Sequence, residues 1–233
     1  MFSTLNESAL HKSLKILYAS RYDGKTEVQV EKWICDILCA NDTVIEIQTR
    51  NVSALREKIA GLLALGKKVA VVHPIITRKI IRTFDMDGKE ISAKKSPKKE
   101  NAYSMLRELT GICDILLHEN FSLVCPFITA EEKRAQSEKP LQSKNGRRRF
   151  KKAWLKTDKS LLTIGEEIVF SGANDYISLL PSDLPEEFSS AEVSRALEKS
   201  AAPYANLLLW ILRKMNLIER TEKRGKRYYY KRK

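Results

Sequence analysis

The chain is poor in the residues that staple small proteins, with four cysteines (Cys35, Cys39, Cys113 and Cys125) and three histidines among 233 residues. No Cys-x-x-Cys pair occurs and no histidine stands at zinc-ligand spacing, which argues against a disulfide framework and against a structural zinc. Long apolar runs are missing too. A stretch such as Leu207–Leu212 is far too short to cross a bilayer, and residues 1–10 show no basic start followed by an apolar segment. No internal repeat is visible. These absences lead us to expect a soluble, cytoplasmic protein with no membrane association.

Positive charge is what the chain has in excess, and it is clustered. The formal net charge is +13, yet residues 131–159 carry 11 Lys+Arg against 4 Asp+Glu and residues 213–233 carry 10 against 2, so the remainder is slightly acidic. Two concentrated basic segments form the electrostatic footprint expected for a polyanion. Neither has the wide apolar helical face that would suit a membrane surface. Solvated charged segments without a ligand are the competing explanation. DNA is the expected partner, and charge alone does not separate it from RNA.

Hydrophobic spacing organises the rest. Leu10, Leu14 and Leu17 predict a first helix over residues 5–19, and Asp23-Gly24 predicts a turn. Residues 27–38 and 43–49 read as strands joined by a tight turn at Asn41-Asp42. Leu55, Ile59, Leu62 and Leu63 form a helical stripe between Ser53, an N-cap residue type, and Gly66, a C-terminal stop, and residues 68–76 return to a strand pattern. Strand, helix and strand with short connections make a βαβ crossover with parallel flanking strands, hence an α/β domain. A hairpin turn at 85–88, a helix over 101–117 and a strand over 121–128 complete it. Near residue 130 the composition turns polar and basic, so we partition the chain into an α/β domain at 1–130, a basic linker or connecting subdomain at 131–185, and a C-terminal module at 186–233. Within the middle part, residues 161–170 and 174–180 read as a strand and a short helix.

The strongest chemical signal is the placement of Asp36, Glu46 and Gln48. A hairpin centred on Asn41 sets Asp36 opposite Glu46, with cross-strand Cβ atoms roughly 4.5–5.5 Å apart. Two carboxylates at about 5 Å repel by ~3 kcal/mol at an effective dielectric near 20, so an offsetting group is expected. A divalent cation supplies one, because Mg²⁺ commonly binds one or two carboxylates together with phosphate and water. Gln48 shares the face of Glu46 and is suited to hold a water or a phosphate oxygen. Two separate carboxylates on solvated strand faces are the bland alternative.

This arrangement resembles the PD-(D/E)XK nuclease superfamily, the restriction-endonuclease-like fold, over roughly residues 5–128. The resemblance implies a mixed sheet flanked by helices and hydrolysis of DNA phosphodiesters with Mg²⁺ or Mn²⁺. It puts Asp36 at the first acidic position and Glu46-Ile47-Gln48 at the second, with the Ile47 carbonyl as a further metal ligand. Glu7 on the first helix takes the place of an added carboxylate, with His11 one turn on. The sequence departs from the pattern at Cys35, which stands where proline precedes the Asp, and at Gln48, which replaces the usual lysine; some members carry Gln there. Lys94, Lys95 and Lys98, around Pro97, and Arg147, Arg148 and Arg149 are the expected phosphate contacts near such a site. His73 and His118 read as partly buried histidines, and Cys35 as packing.

In the last module, residues 188–199 and 200–216 predict two helices, and residues 217–230 a hairpin turning at Gly225. That order resembles the winged helix-turn-helix family, which implies a second helix in the major groove and a hairpin on the DNA backbone. Its positive charge lies mainly in the hairpin, at Lys223, Arg224, Lys226 and Arg227. Asn206 and Arg213 are the main polar candidates on the second helix. The apolar run Leu207–Leu212 leaves a homodimer or docking of a partner protein as the other use of this helix.

Overall fold

A computed structural model describes residues 8–142 and 149–233, so Glu7, Arg147 and Arg148 lie outside the described residues. The elements run α1 (Ala9–Arg21), β1 (Gly24–Val30), β2 (Trp33–Cys39), β3 (Thr43–Ile47), α2 (Arg56–Ala64), β4 (Lys68–Val72), β5 (Ile75–Phe84), β6 (Glu90–Lys95), α3 (Leu106–Leu109), β7 (Phe121–Leu141) and β8 (Lys152–Phe170). They continue with α4 (Ala173–Ile177), β9 (Phe188–Ser189), α5 (Ser190–Ala196), α6 (Ala205–Lys214), β10 (Ile218–Arg224) and β11 (Arg227–Arg232). No helix among the described residues is long and apolar enough to cross a membrane.

The chain is α/β, with a mixed sheet flanked by helices. Its main sheet runs β1-β2-β3-β4-β7-β5-β6, with β8 on β7. β1, β2 and β3 are antiparallel neighbours, whereas β3 with β4 and β4 with β7 are parallel, as the crossover through α2 requires. β4 and β5 keep the same offset along one edge of β7, so they act as one strand bent at His73-Pro74. The turn positions follow local chemistry. Asp42 adopts φ +65° between β2 and β3, and Gly66 adopts φ +75° just past α2, where a side chain would be strained.

Two apolar layers sandwich the sheet. On one face Leu10, Leu14 and Tyr18 of α1 pack against Ile37, Ile45, Ile47, Val72 and Ile128. On the other, Ile59, Leu62 and Leu63 of α2 meet Val44, Val69, Val71 and Leu123. Alternation along β3 therefore turns Ile45 and Ile47 toward α1 and leaves Val44 and Glu46 on the α2 side.

Three expectations need correction. The expected strand over 27–38 is two strands, broken at Glu31, which has φ +50°. The expected helix over 101–117 shrinks to one 3₁₀ turn and the single turn α3. Gly111 follows, at a close approach where a Cβ would sit 2.4 Å from Ser53 Oγ. The largest change is in residues 131–185. Instead of a linker, residues 131–141 continue β7 and residues 152–170 form its antiparallel partner β8, paired from Leu123 with Phe170 to Leu141 with Lys152. The strand expected over 161–170 is thus the inner end of β8, and α4 overlaps the expected helix over 174–180.

The C-terminal elements appear in the expected order, with the addition of β9, which pairs with β11 to make a three-stranded sheet. Ser189 starts α5, its backbone and hydroxyl both bonded to Glu192 at 2.7 Å. Leu208, Leu209, Ile211 and Leu212 of α6 are buried in the same cluster as Leu106, Leu109 and Ile59. The run that looks apolar all round is therefore one-sided, with Asn206, Trp210, Arg213 and Lys214 on the exposed stripe.

Because that core is shared, damage in α6 should be felt throughout. Leu212→Ala, at a fully buried position, is expected to cost about 2–5 kcal/mol. Melting followed by circular dichroism and by tryptophan fluorescence should move down together in one transition. Two separated transitions would show that the module folds on its own.

Candidate functional site

β2 and β3 keep the expected register, Ile37 opposite Ile45 and Leu38 opposite Val44, and then part. Where Asp36 and Glu46 would continue the ladder, side chains replace backbone. The Asp36 N–H donates to Glu46 Oε1 at 3.2 Å, and the Ile47 N–H donates to Asp36 Oδ2 at 2.8 Å. On the other side of Asp36 the β1 ladder is interrupted as well, at Glu27, whose φ of +55° is costly for a residue with a Cβ. Asp36 thus sits in a strand released from both neighbours, with its carboxylate in the gap.

Each flanking helix sends one basic side chain to the pair. His11 of α1 places Nε2 3.4 Å from Asp36 Oδ2. Lys58 of α2 places Nζ 2.6 Å from Glu46 Oε2 and 2.6 Å from the Ile34 carbonyl. The repulsion expected between the acids is therefore offset by N–H donors and an ammonium. Burial tends to raise Asp36, but bonds from His11 and the Ile47 N–H, with the charges of His11 and Lys58, leave it below the usual carboxylate range. Glu46, only 2% exposed, is pushed up to about 7, mainly by burial, with the Asp36 charge adding and Lys58 opposing.

The other site expectations divide. Gln48 does not aim its amide at open space; Nε2 donates to the Asn51 carbonyl at 2.9 Å, holding the turn out of β3. His73 donates from Nδ1 to the Gln48 carbonyl at 2.7 Å, and burial lowers its pKa, so it is a neutral, satisfied histidine. His118 is exposed rather than partly buried, and its Nδ1 accepts from the Asn120 N–H. Cys35 is fully buried in the α2-side cluster, as packing. Lys94, Lys95 and Lys98 are exposed along and just after β6, and Arg149 is exposed beside the β7–β8 tip. In the C-terminal module Asn206, Arg213, Lys223, Lys226 and Arg227 are exposed, whereas Arg224 is engaged by Glu187 and Glu222. Lys58 went unnoticed in the sequence. A lysine preceding Ile59 on an amphipathic helix looks like ordinary solvated surface.

The donor chemistry suits a hard divalent cation only as a two-carboxylate set. Asp36 Oδ1 accepts no hydrogen bond among the described residues, whereas both Glu46 oxygens are engaged, by the Asp36 N–H and the Lys58 ammonium. No group of three or more His, Cys, Asp or Glu side chains placed to hold a metal occurs among the described residues.

With this geometry in view, comparison with known proteins gives a family. The profile described as "Domain of unknown function (DUF8091)" matches residues 8–171. The chain belongs to this family. The matched segment contains Asp36, Glu46, Lys58 and all of β7 and β8, so residues 131–171 of the region expected as a linker or connecting subdomain are part of the family domain. An uncharacterized protein of Treponema pallidum (strain Nichols) is 30% identical over 229 residues, spanning 98% of this chain and 86% of the relative. No solved structure matches the chain.

Glu46 makes a testable contribution to stability. Its folded value near 7 lies above the ordinary 4.5, so the folded chain keeps a proton that the unfolded chain has released. Stability from this group is complete below about pH 4.5 and is lost as pH rises through about 7, amounting to about 3 kcal/mol at most. Glu46→Gln should flatten the fall of Tm between pH 5 and pH 8. An unchanged slope would mean that Glu46 titrates like an exposed carboxylate.

Proposed function

We propose that this protein is a divalent-metal-dependent nuclease that hydrolyses DNA phosphodiesters, in a fold of the restriction-endonuclease-like kind. The interlocked Asp36–Glu46 pair with Lys58 against it is the observation that carries this reading. Asp36, Glu46 and the Ile47 carbonyl would hold Mg²⁺ or Mn²⁺, which supplies an activated water and charge stabilisation at the scissile phosphate. His11 orients Asp36 and keeps it ionised. Lys58 provides the positive charge that Gln48 lacks, fixing Glu46 in the free protein and standing next to the place where phosphate charge develops. Glu7 remains the proposed extra carboxylate, on the segment leading into α1.

The C-terminal module is proposed as a winged helix. Its two helices, hairpin and short β9 support that reading, and the exposed stripe Asn206, Trp210 and Arg213 offers a surface for a groove. The exposed cations Lys223, Lys226 and Arg227 suit backbone contacts more than base readout. Phosphate contacts are also proposed for Lys94, Lys95, Lys98 and Arg149. The alternative use of α6 as a homodimer contact is weakened by the burial of its leucines within the chain.

A second reading, a non-catalytic DNA-binding or regulatory protein, is favoured by one observation. Gln48 spends its amide on Asn51, and Glu46 is locked by Lys58. It predicts salt-sensitive binding with no turnover.

Incubation with supercoiled, nicked and linear DNA and Mg²⁺ or Mn²⁺ separates the two readings. Wild type is expected to cleave, Asp36→Asn to be inactive, and Lys58→Met to fall by roughly 10²–10³-fold. Absence of cleavage by wild type, or equal cleavage by Asp36→Ala, rejects the nuclease reading.

A further inference from the structure

β7 and β8 run on well past the body of the sheet. β5 accompanies β7 only as far as Ala135, after which the ribbon is two-stranded, with Gln136 opposite Trp154 and Leu141 opposite Lys152. Over this end five residue steps of β7 face only two of β8, so β7 bulges and the paired tip extends by about 7 Å at roughly 3.3 Å per residue. A two-stranded ribbon with polar flanks has no internal core, so its composition reflects what it meets.

Pairing and alternation place Glu132, Arg134 and Gln136 of β7 on one face with Lys159, Lys156 and Trp154 of β8, and Lys79 of β5 joins them. Ala130, two residues before Glu132, lies in the α1-side cluster, so this is the sheet face that carries α1 and its His11–Asp36 contact. Apart from the exposed Glu138 near the tip, the acids of the arm are already engaged. Glu132 binds Lys79 at 3.1 Å and Arg134 at 2.5 Å, Glu131 binds Arg82 at 2.6 Å, and Asp158 accepts the Ala9 N–H at the start of α1.

Lys156 and Lys159 have no comparable carboxylate partner among the described residues. Lys159 is half-buried and pushed down to about 8, first by burial and then by Lys156, with Lys79 adding to Lys156 and Glu100 and Glu132 opposing. Lys156 is depressed first by burial, with Glu132 opposing and the charges of Arg50 and Lys79 adding to it. Further out, Trp154 lies under Arg134 at 3.6 Å and Lys152 at 4.3 Å from its ring centre. Phe150 is 70% exposed with Arg149 stacked on it, and Leu155 is 56% exposed.

We propose that the β7–β8 arm is the duplex-DNA grip of this protein, with Lys79, Lys156 and Lys159 holding phosphates beside the carboxylate pair and the aromatic tip entering the major groove. The inference rests on the DNA reading given above, though not on cleavage. B-DNA's major groove admits a two-stranded β-ribbon, while the deep, narrow major groove of A-form RNA does not, so DNA is the favoured duplex. Stacked cation–aromatic pairs at the tip suit a surface that must stay rigid while exposed.

Binding of a fluorescein-labelled 24-base-pair DNA duplex, measured by anisotropy across a salt series in EDTA, tests this without any turnover. Lys156→Gln/Lys159→Gln should weaken affinity by roughly tenfold or more and lower the salt slope by about 1.8. Trp154→Ala, which removes the ring that Arg134 and Lys152 stack on, should weaken binding with the salt slope retained. The melting temperature of each variant is recorded. Wild-type affinity and slope in the folded lysine variant would overturn the proposal, as would tighter binding of an RNA duplex or no binding by wild type. Binding that depends on the arm but never leads to cleavage would support the grip and reject the nuclease.

Discussion

A backbone amide that leaves a β-ladder must find another partner, and the structure turns on how this obligation is met between β2 and β3. The Asp36 and Ile47 amides are paired by the carboxylates of Glu46 and Asp36, so the fold calls for side-chain oxygen acceptors at positions 36 and 46. Holding them close then demands cations, which come from opposite layers: His11 from α1 and Lys58 from α2. A single local defect in pairing thus fixes the chemistry of the site and the identity of the residues around it.

α1 connects this defect to the rest of the sheet. Its first amide is anchored on Asp158 of β8, its first turn reaches Asp36 through His11, and farther along Tyr18 and Arg21 both bind Glu167 of β8. The helix therefore clamps the far strand to the carboxylate strands across the sheet face. Burial pushes the Tyr18 hydroxyl well above its usual range, with the Glu167 bond acting in the same direction, so it remains a donor at any ordinary pH.

What could be read from the sequence was whatever depended on one buried face. The turn at Asn41 fixed the register that brings Asp36 and Glu46 together, and the stripe of Ile59, Leu62 and Leu63 ending at Gly66 revealed the crossover helix. The outer ends of β7 and β8 were hidden because residues such as Lys133, Arg134, Lys152 and Lys156 face solvent or other charges, so no apolar alternation marks them. Runs of basic residues then imitate a linker. Lys58 was concealed for a related reason: its importance comes from which strand α2 lies over, and helical periodicity carries no such information. In α6 the buried leucines were visible as residues, but which side faced the core depended on α3, an element too short to anticipate.

The continuity of the α2-side core has a mechanical corollary. Since α6 shares its packing with α2 and α3, the β10–β11 hairpin cannot drift relative to the β7–β8 ribbon as a tethered module would. On the DNA reading proposed above, a duplex touching both ends would have to match their spacing or bend to do so, and shape would be selected without a base being read.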